Sequence, residues 1–246
     1  MLSHTPPPSA PGVTEEVLAG ARVLRRAFLA EPLRVAARGA SIMRDGEHEP
    51  TSCLVRRGFV LRCHDLANGS RAIVDVLIPG DIAGLDHVLI ARRTGDFTVA
   101  SQLSYHALKS ADVRNMIQAD ANVSFHVLAK LAEAHWRIER FVTAVMRLEA
   151  RERLAAFIIG IYQRLRRHGL ISGMSFYLPM TQEEIADHLG LTIVHVSRTL
   201  RRLREEGLVI VDRHVVMIRN YQGLRDLLSG LSEPAYMPSP MLDPSK

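Results

Sequence analysis

The sequence predicts an α+β chain in three successive parts: an all-β roll, a long amphipathic helix, and a compact unit of short helices closed by a β-hairpin. Three observations carry that prediction. Short β-prone runs broken by turn signals crowd the stretch from about Ser41 to Lys109. A heptad pattern of apolar residues then runs from Val127 to Leu148. Finally, "MTQEEIADHLGLTIVHVSRTLRRLREEGLV", Met180 to Val209, sets two short helical runs around Gly190 and crowds Arg198, Arg201, Arg202 and Arg204 into the second.

Composition bounds the possibilities. A chain of 246 residues, 47% of them hydrophobic, can bury one large domain or two modest ones. The formal net charge of +5 favours an anionic partner without requiring one. Two cysteines, Cys53 and Cys63, exclude a disulfide framework and a four-cysteine metal site, and a reducing compartment is the default. The opening "MLSHTPPPSAPG" lacks the charged start and apolar core of a signal peptide, and its prolines suggest a disordered lead-in over residues 1–20. The longest apolar run, "AAFIIGIY", has eight residues and cannot span a bilayer. A soluble, cytoplasmic protein with no membrane partner is expected.

The elements follow in order. Thr14 to Ala30 reads as a helix, with Thr14 as N-cap and Val17, Leu18, Ala21, Leu24 and Phe28 on one face. Breaks at Gly58, Asn68-Gly69 and Pro79-Gly80-Asp81 then separate short strands. "LRCHDLANGSRAIVDVLI" reads as a hairpin closed at Asn68-Gly69, and Phe97–Ala100 and Tyr105–Lys109 add two strands. Closure into a barrel or jelly roll would remove the sheet edges, which gives a β-roll over residues 21–122. A short helix covers about Ala111–Gln118 and a long one starts near Val123. In the long helix, Val127, Leu131, Ala134, Ile138, Phe141, Val145 and Leu148 alternate steps of four and three. Such a stripe can pack on its own domain or form a parallel two-stranded dimer. The alternation of β-branched Ile138 and Val145 with larger residues favours the dimer, so residues 123–149 are read as a dimerisation helix. Ala150–Arg167 is a further helix stopped at Gly169, "SGMSFYLPM" is a short extended segment, and "LVIVDRHVVMIRN" is two β-prone runs. These place a compact unit at 150–228, followed by a flexible tail at 229–246.

The Met180–Val209 stretch carries the chemistry. Thr181 and Glu184 form a capping box; Ile185, Ala186 and Leu189 face inward. Gly190 permits a positive φ, Thr192 caps the second helix, and Val196, Leu200 and Leu203 point inward. A small residue for close packing, a glycine turn and a residue filling the angle between the helices make a helix-turn-helix, and the β pair after Gly207 supplies a wing. Its outward face suits a DNA major groove, since arginine can pair bidentately with guanine and the helix N-terminus favours phosphate. Residues 151–219 hold eleven Lys and Arg against seven Asp and Glu, an excess of four positive charges. The candidate DNA contacts are Thr192, Ile193, Val194, His195, Ser197, Arg198, Arg201 and Arg202 on the helix Thr192–Glu206.

"TQEEIADHLGLTIVHVSRTLRRLREEGLV" resembles the recognition region of the CRP/FNR superfamily, and most of all its FNR/FixK branch. The preceding order of a β-roll containing "PGD", a long helix and a winged helix-turn-helix agrees, over about residues 25–225. The resemblance implies a cyclic-nucleotide-binding-like jelly roll and a homodimeric transcription regulator, with an activator's role, that binds a palindromic double-stranded site and contacts RNA polymerase. Cyclic-AMP-binding relatives hold a Gly-Glu for the ribose and an Arg-Ser for the phosphate; the corresponding positions here are Gly84-Leu85 and Gly95-Asp96. A carboxylate at the phosphate position would repel that ligand. Oxygen-sensing relatives hold an iron–sulfur cluster on four cysteines, which two thiols cannot supply. No cofactor is therefore expected. FNR-type recognition helices carry a Glu, then a Ser and an Arg three and four residues on. Ser197 and Arg198 match, while Val194 replaces the Glu and can offer only an apolar contact, for instance to a thymine methyl.

Other readings use different residues. Some relatives bind haem through Cys or His, for which Cys63-His64 and His87 are candidates, and Cys53 or Cys63 could sense redox state. A cupin-like metalloenzyme would draw on Glu47, His48 and Glu49 of "GEHEP", but neighbours on a strand face opposite sides. A scaffold could use the helix-turn-helix for protein contacts alone. No catalytic residue or metal ligand set emerges from the pattern, and an enzyme is not expected.

Overall fold

The structure is a computed structural model that describes residues 15–43, 51–90 and 95–228. Thr14, the residues Glu47, His48 and Glu49, and the 229–246 segment lie outside the described residues. The first helix, α1, spans Glu15–Ala30 and buries Gly20, Ala21, Leu24 and Phe28. Residues 15–20 thus belong to α1 and not to the expected lead-in. Gly20 lets α1 cross the start of the long helix at close range, because a Cβ there would lie 1.9 Å from the Asn122 carbonyl.

Two four-stranded sheets follow. One has the order β1 (Arg34–Ala36), β8 (Leu103–Lys109), β3 (Thr51–Arg57), β6 (Ile82–Ala83). The other has β2 (Ser41–Met43), β7 (Asp96–Val99), β4 (Val60–Asp65), β5 (Arg71–Leu77). All pairings within them are antiparallel. Their facing sides enclose Met43, Cys53, Val55, Val60, Leu77, Phe97, Val99 and Leu103. The β4–β5 hairpin turns at Asn68-Gly69 as expected, with Gly69 at φ +82°. β1 was not legible in the sequence, for three residues give too short a pattern.

Helix α2 (Ser110–Ala119) stops at extended Asp120, whose side chain caps α3 (Ala121–Arg147) by accepting from the Asn122 N–H. Chain direction changes again at extended Leu148. Glu149 and Glu152 then form a capping box that starts α4 (Ala150–Arg167). The remainder is β9 (Ser175–Tyr177), α5 (Gln182–Leu189), α6 (Ile193–Glu205), β10 (Val209–Asp212), β11 (Val215–Ile218) and α7 (Tyr221–Asp226). The core of this unit is continuous with the outer face of β4 and β5: Leu154, Ile158, Tyr162, Ile185 and Val196 cluster with Leu61, Ile73, Val76 and Ile78.

Part of the stripe read as a dimer seam packs within the chain itself. Val127 is buried with Ala21, Leu24 and Phe28 in the chain's own core, and Leu131 packs against that cluster. Phe141 stacks on His188 of α5 with ring centroids 4.8 Å apart, and Leu148 packs on the C-terminal core. The apolar residues that α3 leaves exposed are Phe125, Leu128, Ile138, Val142 and Met146. Of the expected seam, Ile138 alone is exposed, at 39%, while Ala134 and Val145 are half-buried. The physical reason is that α3 is apolar on two adjoining faces. Periodicity finds both faces but not which one the rest of the chain covers.

Candidate nucleic-acid interface

The helix-turn-helix forms from the signals the sequence offered. Thr181 Oγ1 accepts from the Glu184 N–H at 3.1 Å, and Glu184 Oε2 accepts from the Thr181 N–H at 2.7 Å, so two N-terminal donors of α5 are satisfied. Gly190 closes α5 at φ +64°, ψ +39°, and a Cβ there would meet nothing within 4 Å. Backbone conformation alone therefore demands glycine at this turn. Thr192 caps α6, accepting from the His195 N–H at 3.2 Å. Val196 and Leu203 are fully buried against α4 and α5, and Leu200 packs beside them. Thr199 is also buried, which the polar character of threonine hid in the sequence.

The opposite face of α6 is open. Thr192, Ile193, Val194, His195, Ser197, Arg198, Arg201 and Arg202 are all exposed, Val194 at 56%. The arginines are not equivalent. Arg201 pairs with Glu205 at 2.8 Å, and Arg202 with Glu206 at 3.0 Å. Glu206 also holds Arg151 of α4. Among the described residues, Arg198 has no carboxylate partner. Its guanidinium is therefore available to an outside acceptor without breaking an ion pair. β9 joins β10 and β11 as an edge strand of the wing, in the order β10-β11-β9. The wing turns through Arg213 and His214, both exposed and both at positive φ, 43° and 67°.

Residues 152–227 match the family described as the Crp-like helix-turn-helix domain. The nitrogen fixation regulation protein FixK of Rhizobium meliloti is 28% identical over 194 residues, 77% of this chain and 83% of that protein. The transcriptional activator protein FnrL of Cereibacter sphaeroides is 26% identical over 186 residues, 73% of each chain. Among solved structures, FixK2 from Bradyrhizobium japonicum superposes with a TM-score of 0.71 at 25% identity, covering 80% of this chain and 96% of that one. A CRP-family regulator from Thermus thermophilus shares the fold, with a TM-score of 0.65 at 20% identity over 82% of this chain and all of that one.

The chain carries a Crp-like helix-turn-helix domain and is similar to transcription regulators of the CRP/FNR type.

Sequence reasoning missed how the regulator's DNA-reading unit is tied to its β-roll. Arg38 reaches from the β1–β2 turn to both carboxylate oxygens of Glu184, at 2.9 and 2.8 Å, and donates to the carbonyls of Pro179 and Ala100. Arg164 of α4 is buried with Asp81 of the "PGD" turn and donates to the Val76 carbonyl at 2.8 Å. Arg137 of α3 pairs with Asp75 at 2.7 Å. Burial pushes the Asp75 and Asp81 carboxyls up, but the guanidinium beside each outweighs it and holds both below the ordinary carboxylate range. His188 lies between Phe141 and Phe157, and its Nδ1–H donates to the Ile73 carbonyl at 2.8 Å. Burial lowers its pKa and keeps the ring neutral. Each tie joins residues far apart in sequence, so no local pattern announces it.

Within the β-roll of the regulator, a cavity of about 230 Å³ lies between β5, β6, β7 and α3. Its charged groups are engaged with one another: Arg62 with Asp86 at 2.6 Å, Arg137 with Asp75, and Asp81 with Arg164. Leu85 is buried in the α1–α3 core. Gly84 and Gly95 both sit at positive φ, and a Cβ on Gly95 would lie 2.5 Å from the Cys63 carbonyl. Cys53 and Cys63 are buried free thiols, and burial raises the pKa of Cys63. His87 is buried edge-on to Phe97 at 5.9 Å. Among the described residues, no three of His, Cys, Asp and Glu group as metal ligands. No helix there is long and apolar enough to cross a membrane.

Proposed function

We propose that this regulator works as a homodimer, reading a palindromic double-stranded site with the exposed face of α6, without cyclic AMP or an iron–sulfur cluster. The observation that carries the reading is the open face of α6. Val194 and Arg198 are exposed one turn apart just after the Thr192 cap, and Arg198 is free of any internal carboxylate among the described residues. Arg198 suits guanine O6 and N7, Val194 suits a thymine methyl, and Thr192 with the first turn suits a phosphate. Arg201 and Arg202 reach phosphates once they leave Glu205 and Glu206, an exchange that costs little because exposed pairs contribute little.

Dimerisation is supported by the exposed Phe125, Leu128, Ile138, Val142 and Met146 stripe of α3, an apolar face that a second copy would cover. The division into a β-roll at 21–122, a dimer helix at 123–149 and a DNA-reading unit at 150–228 belongs to the same reading. Independence from cyclic AMP is supported by buried Leu85 and by the mutual pairing of the cavity's charges, which leaves a phosphate no uncommitted arginine there. Both thiols are buried, and burial raises the pKa of Cys63, which speaks against a thiolate sensor. An activating role is supported by likeness to the transcriptional activator protein FnrL, and contact with RNA polymerase belongs to the same reading.

Selection of bound duplexes from a random pool, with no small molecule added, tests the reading. The expected consensus is an inverted repeat with half-sites roughly 10 base pairs apart. Arg198→Ala should lose one G·C position in each half-site. A consensus without two-fold symmetry, or no enrichment unless cell extract is added, would sink it.

A further inference from the structure

A second cleft lies outside the DNA-reading face and outside the β-roll cavity. It opens where β5, α3, α4 and the end of α5 meet, and encloses about 120 Å³. An apolar protein cavity of roughly 150 Å³ accommodates one benzene, so this one suits a single small ring. Its walls include Trp136, Phe141, Ala144 and Phe157. Gly160 keeps the α4 wall back. It sits inside the helix, where glycine is less favourable than alanine. A Cβ there would meet nothing within 4 Å, so close packing is not what requires the glycine.

The charged groups along the cleft are engaged within the chain. Arg137 pairs with Asp75, Arg164 with Asp81, and Glu133 with Lys130 at 2.8 Å. Arg153 donates to the carbonyls of Leu148 and Leu189. Arg140 lies over the Trp136 ring, 5.0 Å from its centroid, and Arg167 has an interaction of its own. An ionic occupant would leave water for a cleft with no countercharge set aside for it, so the cleft suits a neutral one.

His188 supplies the polar handle. This side chain lines the cleft and is 8% exposed. Its Nδ1 lies 2.8 Å from the Ile73 carbonyl, and a carbonyl can only accept, so Nδ1 carries the proton. Nε2 of the neutral ring is then a bare acceptor, with no hydrogen-bond partner among the described residues. Phe141 stacks on the ring at 4.8 Å, and Phe157 tilts against it at 5.0 Å. With Nδ1 turned to β5 and phenyl rings against the imidazole, the edge left to face the cleft is the one that carries Nε2. A buried acceptor left unpaired is costly, and a donor on an occupant would relieve that cost.

We propose that this cleft binds a small neutral aromatic molecule bearing one O–H or N–H, its ring against Trp136 and Phe157 and its donor on His188 Nε2. A second copy on the exposed stripe of α3 would leave the site open. At 3.6 residues per turn, Trp136, Arg140 and Ala144 face the opposite side of α3 from Ile138, Val142 and Met146. His188 belongs to α5, so an occupant touches α3 and the helix-turn-helix together.

Trp136 is the only tryptophan, so its fluorescence reports the site directly and without DNA. Phenol titrated into the full-length protein should change the emission saturably, with a dissociation constant on the order of 0.1–1 mM. The nitrogen resonance of His188 Nε2 should move with phenol and stay in place with toluene, the isostere that lacks a donor. His188→Asn keeps an N–H for Ile73 and removes the Nε2 acceptor. It should lower the ratio of phenol to toluene affinity roughly three- to tenfold. Gly160→Leu should fold, by circular dichroism, and lose the response to both molecules. No saturable change, an unmoved Nε2 resonance at saturating phenol, an unchanged ratio in folded His188→Asn, or an undiminished response in folded Gly160→Leu overturns the proposal. The Nε2 resonance is read on the parent protein, so it decides even where neither variant folds. A failure here would leave the DNA-reading assignment untouched, since no duplex enters the measurement.

Discussion

Replacing Arg164 by methionine should cost about 3–5 kcal/mol, for a reason that can be separated from lost packing. The Arg164 and Asp81 side chains are 9% and 6% exposed, so the pair is out of water. Asp81 Oδ2 also accepts from the Ile78 N–H at 2.8 Å, which holds the "PGD" turn in shape. Methionine fills much of the arginine's volume but removes the charge. The Asp81 carboxylate is then buried with its main partner gone, the costly half of a broken buried pair. Adding Asp81→Asn removes that charge while keeping an acceptor for Ile78. The double variant should recover most of the loss, because buried pairs contribute little net energy against neutral replacements. Urea unfolding followed by circular dichroism gives the three values, and for a chain this size the single change should lower Tm by roughly 6–20 °C. A single variant within about 1 kcal/mol of the parent, or a double variant no better than the single, would refute the reasoning.

Three further outcomes follow from other parts of the molecule. Val194→Glu should shift one position per half-site towards C·G and weaken the parent's own site by about 1–2 kcal/mol per half-site; identical consensus sequences from one random pool would show that Val194 does not face the bases. Ile138→Asp and Val142→Asp should each give folded monomers in sedimentation at micromolar concentration with palindrome binding lost, whereas Val127→Asp, buried in the chain's own core, should unfold the protein. If the first two remain dimeric, the apolar stripe of α3 is not the seam. Burial lowers the pKa of both His126 and His168 from 6.5 to about 4, so both rings fold neutral. The unfolded chain binds more protons below pH 6.5, so their contribution, about 3 kcal/mol each, is whole above that pH and drains away as pH falls towards 4. Melting between pH 7 and 5 should show this slope, to which buried His188 adds, and His168→Gln should reduce it without removing it; a flat profile would contradict it.

What could be read from the sequence was local. Thr181, Glu184, Gly190 and Thr192 set their caps and turn with partners a few residues away, and all four appear in the structure in those roles. Asn68-Gly69 and Gly169 behave the same way. The misses are long-range. Arg164 lies in the polar end of α4, "QRLRR", and nothing local marks it, yet it crosses 83 positions to reach Asp81. Arg38 crosses 146 to reach Glu184, and His188, two residues before Gly190, is buried by Phe141 and Phe157 from two other elements. Charge type alone could not separate these residues from surface ones, since only burial and a partner from elsewhere distinguish them.

The seam on α3 shows why such misses concentrate where the function is. A helix that both roofs a domain and pairs with a second copy needs two apolar faces, and 3.6-residue periodicity reports their sum. Here Val127, Leu131, Phe141 and Leu148 pack within the chain itself, while Ile138, Val142 and Met146 stay exposed, where the proposed second copy would sit. The third face carries Lys130, Glu133 and Arg137, whose pairs reach towards Asp75 and, through Arg164, the "PGD" turn. A single rigid rod thus meets the β-roll, the helix-turn-helix through Phe141 and His188, and the solvent-facing stripe within a few turns. Any ligand or substitution that tilts α3 against α4 must move the spacing between two α6 helices in a dimer, since α4 and α5 are packed on it directly. That spacing must match one turn of DNA to engage both half-sites. In the proposed dimer, the geometry of α3 therefore bears on DNA affinity alongside the proposed contact of Arg198.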